Sequence, residues 1–302
     1  MKKSLIAVSL LAMLSACGGG SSGSSNNGTN PNGNTGGNSG TGGTGGTGTT
    51  TTGMTEAFKV FGESWLNMQA VLNMHDLVII AGNTGNCPKG GTVSFNGSIT
   101  TMNNCVRRFP ADNAYQGSFG GTPVIVGNLK TLAFQSNGLI YANVGNNPSV
   151  SQYAITNTSF TASEDSSNSS QDVTQIGNGS ASFVVSNATT YALSAIASTV
   201  TNNSSSLNSM AGFFYSKNGS AANRLLTTQN LAFASDSNGM TMRPTTGAYN
   251  VAVGGSSTVC VNVAVQMMPN NQLQISCTAT NEKQIVNWTD NSVRTALNNA
   301  AS

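Results

Sequence analysis

From Met54 to Leu77 apolar positions recur every three or four residues, with Phe58, Phe61, Trp65, Met68 and Leu72 on one stripe. That spacing predicts an α-helix with one face against a core. Thr55 is its expected N-cap, and Gly82 ends it at the latest. Beyond Gly82 the period changes to two. "YALSAIASTV" and "TVCVNVAVQ" alternate apolar and polar residues, the pattern of antiparallel strands with one buried and one wet face. Asn-Gly dipeptides begin at positions 96, 137, 178, 218 and 238, mostly between β-rich runs, and read as successive hairpin turns. Residues 164–171 ("EDSSNSSQ") and 202–209 ("NNSSSLNS") read as polar loops. After Asn281 the spacing of Ile285, Trp288 and Val293 is helical again. The expected class is mainly β: a long antiparallel meander, as a curved sheet or half-barrel, with an N-terminal amphipathic helix and a short C-terminal helix. A turn spacing near 40 residues invites a propeller. Only "LAFQSNG" and "LAFASDSNG" echo each other, which supports one duplicated hairpin and no more.

The start of the chain has a different grammar. Lys2 and Lys3 precede an apolar run of about 11 residues, too short to span a bilayer but the right length for an export signal. The run ends in Leu14, Ser15, Ala16 and Cys17. "LSAC" resembles the lipobox of bacterial lipoproteins. The resemblance implies cleavage after residue 16, a diacylglycerol on the Cys17 thiol and acylation of the new amino group. Multiple acyl chains make a stable anchor. Gly18 stands where lipoproteins retained in the inner membrane often carry Asp, so by the same likeness the expected destination is the outer membrane. Residues 18–53 are Gly, Ser, Thr and Asn with a single Pro and no charge. Such a segment cannot bury enough apolar surface to order itself. As a flexible coil its root-mean-square reach is about 30–36 Å. The division is therefore a signal (1–16), a lipidated Cys17 with its tether (17–53), and one β domain (54–302). G-x-S-x-G from Gly19 and G-x-G-x-x-G from Gly40 lie inside the tether, away from the strand and helix their chemistry requires.

Without Lys2 and Lys3 the chain carries ten basic and ten acidic side chains. That balance leaves no electrostatic footprint for nucleic acid or an anionic membrane. Besides Cys17 there are Cys87, Cys105, Cys260 and Cys277, an even number that reads as disulfides in an exported protein. If Asn96-Gly97 is a two-residue hairpin turn, Phe95 faces Ser98 and Cys87 comes within one residue of Cys105. This favours a Cys87–Cys105 bridge worth about 3 kcal/mol in the chain-entropy model. Cys260–Cys277 is the remaining pair. Val259, Val261, Val263 and Val265 share a face opposite Cys260, whereas Leu273 and Ile275 share one with Cys277. A bulge is needed to bring these cysteines together. With no C-x-x-C, a zinc site is the weaker alternative, and no metal or cofactor is expected.

"CPKGGTVSFNGSITTMNNC" with the following "YQGS", and later "RPTTGAYNVAVGGSSTVCVNV", resemble uncharacterised proteobacterial outer-membrane lipoproteins with a C-x-x-G-G hairpin and an N-C pair. Where that group often has an acidic D-x-D-G turn, this chain has "PNNQ", so no calcium site is implied. A helix followed by a curved meander is also similar in architecture to the lipoprotein carriers with a half-barrel fold. Folds do not carry function by themselves.

Candidate chemistry is sparse. His75 is the one histidine and lies beside Asp76. As a general base it would need a nucleophile at Nε2, and a polar residue near a helix end is the simpler account. Glu164 and Asp165 adjoin in a polar stretch, and "DSNG" at Asp236 reads as a turn rather than a calcium loop. Arg107 and Arg108 are able to grip a carboxylate or phosphate, or to sit exposed without a ligand. The expectation is a non-enzymatic, membrane-tethered binding or structural lipoprotein. Its partners are membrane lipid through Cys17 and a protein, glycan or hydrophobic ligand. The alternatives are a half-barrel carrier or chaperone, its cavity lined by Met210, Phe213, Phe214, Met240, Met242, Met267 and Met268, and a hydrolase of unassigned type.

Overall fold

A helix does form where the apolar stripe predicts one, and it is longer: α1 spans Thr52–Ile80. Thr55 therefore lies inside the helix rather than at its cap. The computed structural model describes residues 52–108, 112–136, 140–144, 153–185, 189–203, 206–236, 239–240, 243–255 and 259–302. The signal, Cys17, nearly all of the tether and the Asn137-Gly138 dipeptide lie outside the described residues. After α1 come β1 (Gly85–Asn86), β2 (Thr92–Phe95), β3 (Ile99–Arg108) and β4 (Asp112–Gly120). The chain continues through β5 (Val124–Val126), β6 (Leu129–Ser136) and β7 (Ile140–Val144). Five long strands follow: β8 (Tyr153–Asn168), β9 (Gln171–Val185), β10 (Thr189–Asn203), β11 (Ser206–Lys217) and β12 (Asn223–Asp236). The last elements are β13 (Gly239–Met240), β14 (Thr246–Ala252), β15 (Asn262–Met268), β16 (Gln272–Cys277), β17 (Glu282–Asn287) and α2 (Asn291–Ala301).

The fold is mainly β, an antiparallel sheet that does not close, with one helix at each end. Pairing runs largely along the chain, from β1–β2–β3–β4 through β8–β9–β10–β11–β12 to β14–β15–β16–β17. α1 packs against β8–β11, β15–β17 and α2. Consequently its burial is not confined to the apolar stripe. Glu63, Ser64, Asn67, Gln69, Asn73, His75 and Asp76 are buried along with Phe61 and Leu72. The sheet supplies partners for them: the Tyr249 hydroxyl lies 3.1 Å from Ser64 Oγ. On the inner face Phe119, Phe134 and Phe160 stack across β4, β6 and β8 with centroids 4.6 and 4.3 Å apart.

Several local expectations are corrected. Asn178-Gly179 lies in mid-strand in β9. Asn178 is left-handed at φ 52°, in line with Asn157 (φ 45°) on β8 and Ala195 (φ 50°) on β10, and the registers shift there. The positive φ that suits a hairpin turn suits a β-bulge equally, and this row of bulges bends three neighbouring strands. β6 and β7 are not a hairpin either; both run antiparallel to β8, end to end. The "LAFQSNG" echo is thus not a duplicated hairpin, since β12 and β13 do pair with each other. The Ser-rich stretches at 164–171 and 202–209 are mostly strand. Residues 165–170 are exposed where the β8–β9 hairpin reaches past the core, whereas Leu207 and Ser209 in the second stretch are buried. The residues after Asn281 form β17, where Ile285 is exposed, and helix begins only at Asn291.

The cysteines pair at disulfide distance as expected, Cys87 with Cys105 and Cys260 with Cys277, with Cα separations of 5.3 and 5.5 Å. The geometry differs from the expected register. Phe95 faces Thr100 across a four-residue turn, and Cys87 sits in the β1–β2 turn, its N–H donating to the Gly91 carbonyl at 3.0 Å. Gly91 adopts φ +74°, and a Cβ there would fall on the Asn104 backbone. Cys260 precedes β15, in irregular chain where Val259 and Val261 are exposed. Leaving the strand, rather than a bulge, lets it turn inward to Cys277.

Candidate functional site

The C-terminal end of α1 reaches the surface, with Asn83 and Thr84 just beyond it exposed. Gly82 turns the chain with φ +80°, the left-handed conformation that ends many helices. The last turn of α1 carries no basic side chain of its own. Lys130 supplies one from β6, its Nζ donating to the carbonyls of Ile79 (3.1 Å) and Ala81 (3.4 Å) and pairing with Glu164 at 2.6 Å. A cation at the negative end of the helix dipole stabilises it.

Two clefts flank this helix end. One of about 400 Å³ is lined by Ile79, Asn83, Phe95, Pro123, Ile125 and Lys130, among others. That is within the range of small-molecule sites. The second, about 260 Å³, lies over the Cys87–Cys105 pair and includes Arg107. The β5–β6 hairpin borders the first cleft, pinned at its base by Gly121 N–H donating to the Ser98 carbonyl (3.0 Å) and by the Thr122 hydroxyl donating to that of Gly97 (3.1 Å). Its Val124, Ile125, Val126 and Leu129 face solvent.

Arg107 is not a free anion grip: its Nε donates to Asp76 Oδ1 at 2.7 Å. Asp76 is fully buried on α1. Burial raises its pKa above the usual carboxylate value, against the opposing pull of Arg107 and the Tyr115 hydroxyl. The Arg108 side chain lies outside the described residues. Glu164 is taken up by Lys130, and Asp165 is exposed, held below its ordinary pKa by the Ser167 backbone N–H.

His75 sits deep in the core. Nδ1 lies 2.9 Å from the Thr174 hydroxyl and Nε2 2.9 Å from that of Ser198. The Ser198 hydroxyl donates onward to the Met210 carbonyl at 3.0 Å, so its oxygen accepts from Nε2–H, and Nδ1 accepts from Thr174. Burial lowers the imidazole pKa to about 3. The ring is a neutral, doubly bonded tie between α1 and strands β9 and β10, with no exposed surface.

The residues expected to line a carrier cavity are divided by strand alternation. Phe213 and Met267 point into the core, whereas Met210 and Phe214 face solvent, with Arg224 5.8 Å over the Phe214 ring. The side chains of Met240 and Met242 lie outside the described residues. Among the described residues no group of His, Cys, Asp and Glu is arranged to hold a metal ion. The Lys130 cap and the exposed hairpin escaped the sequence reading. "VIVGNL" is a sequence cue for a strand, but nothing in it marks that strand as exposed. No family model, curated protein or solved structure matches this chain.

Proposed function

We propose that the chain is an outer-membrane lipoprotein held by an acylated Cys17, and that its folded part is a binding module rather than an enzyme. The observation that carries the reading is the position of the open surface relative to the tether. The Gly-rich segment enters α1 at Thr52. The clefts and the apolar hairpin lie at the other end of a helix of 29 residues, about 43 Å long. A module anchored at one end presents its recognition surface at the other.

Two further features support it. α1 is buried almost all round against β8–β11, β15–β17 and α2, filling the kind of space in which a half-barrel carrier would hold its ligand. The chain's one histidine is consumed by two strand hydroxyls in a site closed to solvent. Recognition then falls to backbone edges, Asn, Ser and Thr side chains and a few exposed aliphatics, as suits a chain of balanced charge.

The test is Cys17→Ala. The variant is expected in the soluble fraction and without incorporated palmitate, while the wild-type chain sediments with membranes and is labelled. A variant that stays in the membrane fraction defeats the anchoring.

A further inference from the structure

We infer, on the reading of the folded part as a binding module, that the larger cleft at the end of α1 binds a neutral pyranose sugar. The end of α1, β2, the β5–β6 hairpin and β8 meet there around a volume of about 400 Å³. Its walls are already in place. Gly82 lies so close to Pro123 that an added Cβ would stand 2.7 Å from the proline ring. Across the cleft, the Ser166 N–H and hydroxyl both donate to the Asn128 carbonyl, at 3.1 and 3.3 Å. A site held in this way needs little reordering to receive a ligand.

The open hydrogen-bonding positions say what that ligand carries. An ammonium group has three N–H donors, and those of Lys130 go to the Ile79 and Ala81 carbonyls and to Glu164. None is left for a ligand. Glu164 faces Lys130 in the β6–β8 register and is held through Oε2. Its Oε1 has no partner among the described residues. Asn83 spends one N–H on the Ile79 carbonyl at 3.0 Å. Its oxygen and second N–H, and the side-chain amide of Asn128, have no partner among the described residues either. The cleft thus offers a fixed carboxylate oxygen beside amides that both donate and accept. A hydroxyl does both as well, and its bond to a carboxylate is charge-assisted. The opposite lining is apolar, with a half-buried Phe95 beside Pro123 and Ile125, and suits the C–H face of a sugar ring.

Other classes of small molecule fit less well. An anion would meet Glu164 with no ammonium N–H free to offset it. A cation would stand beside Lys130, whose charge already balances Glu164 at 2.6 Å. A purely apolar ligand would strip water from the carboxylate and the amides and leave them unpaired, which is costly. A neutral molecule with several hydroxyls meets none of these penalties. One ring makes few contacts in an open cleft, so the expected Kd is roughly 0.1–10 mM.

The experiment uses the full chain with Cys17→Ala in solution, where the readout does not depend on anchoring. Saturation-transfer NMR and titration take methyl glucopyranoside, methyl galactopyranoside and N-acetylglucosamine as probes. At least one should bind in the stated range, with the strongest transfer to its ring C–H protons. Phe95→Ala and Glu164→Gln should each weaken binding at least tenfold. Phe214→Ala, which removes an exposed ring on β11, should leave it unchanged. Glucosamine and glucuronate, the cationic and anionic counterparts, should bind at least tenfold more weakly, a comparison that needs no cleft variant. Failure of every neutral probe at about 10 mM, full affinity in both cleft variants, or equal loss with Phe214→Ala would each overturn the inference. So would a preference for glucosamine or glucuronate, or binding of octanol where no sugar binds. Those last outcomes would leave the binding module standing and change only the class of its ligand.

Discussion

His75 shows how a residue that reads as chemistry from its type becomes structural through its partners. Both ring nitrogens are bonded, and the imidazole is held neutral by burial. Its folded pKa is about 3 against an ordinary 6.5. The unfolded chain therefore takes up a proton below about pH 6.5 that the folded chain refuses. The contribution of His75 is fully present above that pH and is lost as pH falls toward 3, at up to about 1.4 kcal/mol per pH unit. Asp76 and Glu63 have raised pKa values caused chiefly by burial, and their sign is opposite: the stability they contribute is lost as pH rises through the folded value. A wild-type-minus-variant comparison isolates the histidine. His75→Ala should cost about 2–4 kcal/mol near pH 7.5, from the void and the two hydroxyls left facing it. In urea unfolding at pH 7.5, 6 and 5 that cost should shrink steadily. A gap that stays constant or widens toward acid would mean the imidazole is charged in the fold.

Two helices sharing one core depend on a single small residue. A Cβ built at Gly62 of α1 would land on the Ala296 carbonyl of α2, so the helices meet backbone to backbone. Trp288, just before α2, closes the same contact, with ring centroids 5.1 Å from Trp65 and 5.9 Å from Phe61. The far end of α2 is tied down by the sheet. Tyr191 donates to the Ala300 carbonyl at 2.6 Å, Lys217 to that of Asn299 at 2.8 Å, and Thr189 to that of Ser302 at 2.7 Å. These groups satisfy carbonyls that have no partner within the helix. Gly62→Ala should destabilise by about 1–3 kcal/mol through overpacking and shift the Trp288 fluorescence as the helices part. Unchanged emission and melting temperature would contradict the close approach.

At the scale of the whole molecule, the proposed attachment at Cys17 and the clefts at the end of α1 are separated by the Gly-rich residues 18–51 and the length of the helix. Deleting most of residues 18–51 shortens the Gly-rich segment but removes no part of the described β sheet. The expected result is an unchanged melting temperature and slower binding of an antibody against the folded domain to the membrane-anchored chain. A shortened chain that melts earlier would show that the segment packs on the domain. One that binds the antibody as fast as the full chain would show that reach is not what the segment provides.

Properties of short range were legible in the residues. Helical spacing marked α1, alternation marked an antiparallel sheet, and the even cysteine count with its spacing marked two bridges whose partners the structure pairs. Asn-Gly marked positive φ, and Asn218 at 49° joins β11 to β12 as a turn. The same signal at Asn178 became a bulge, because one left-handed residue is compatible with either and only the neighbouring strands decide whether the chain turns back or continues. Alternation reported two faces without saying which strand would end early. Val259 and Val261, in phase with Val263, lie outside the strand for that reason. Tertiary structure alone placed partners of large sequence separation: Thr174 and Ser198 around His75, Arg107 on Asp76, and Lys130 over the end of α1. It also left the aliphatic side chains of β5 exposed while the sheet wrapped the helix. Periodicity records what a residue's own backbone presents; burial all around a helix, and exposure of an aliphatic strand, depend on what the rest of the chain brings against it.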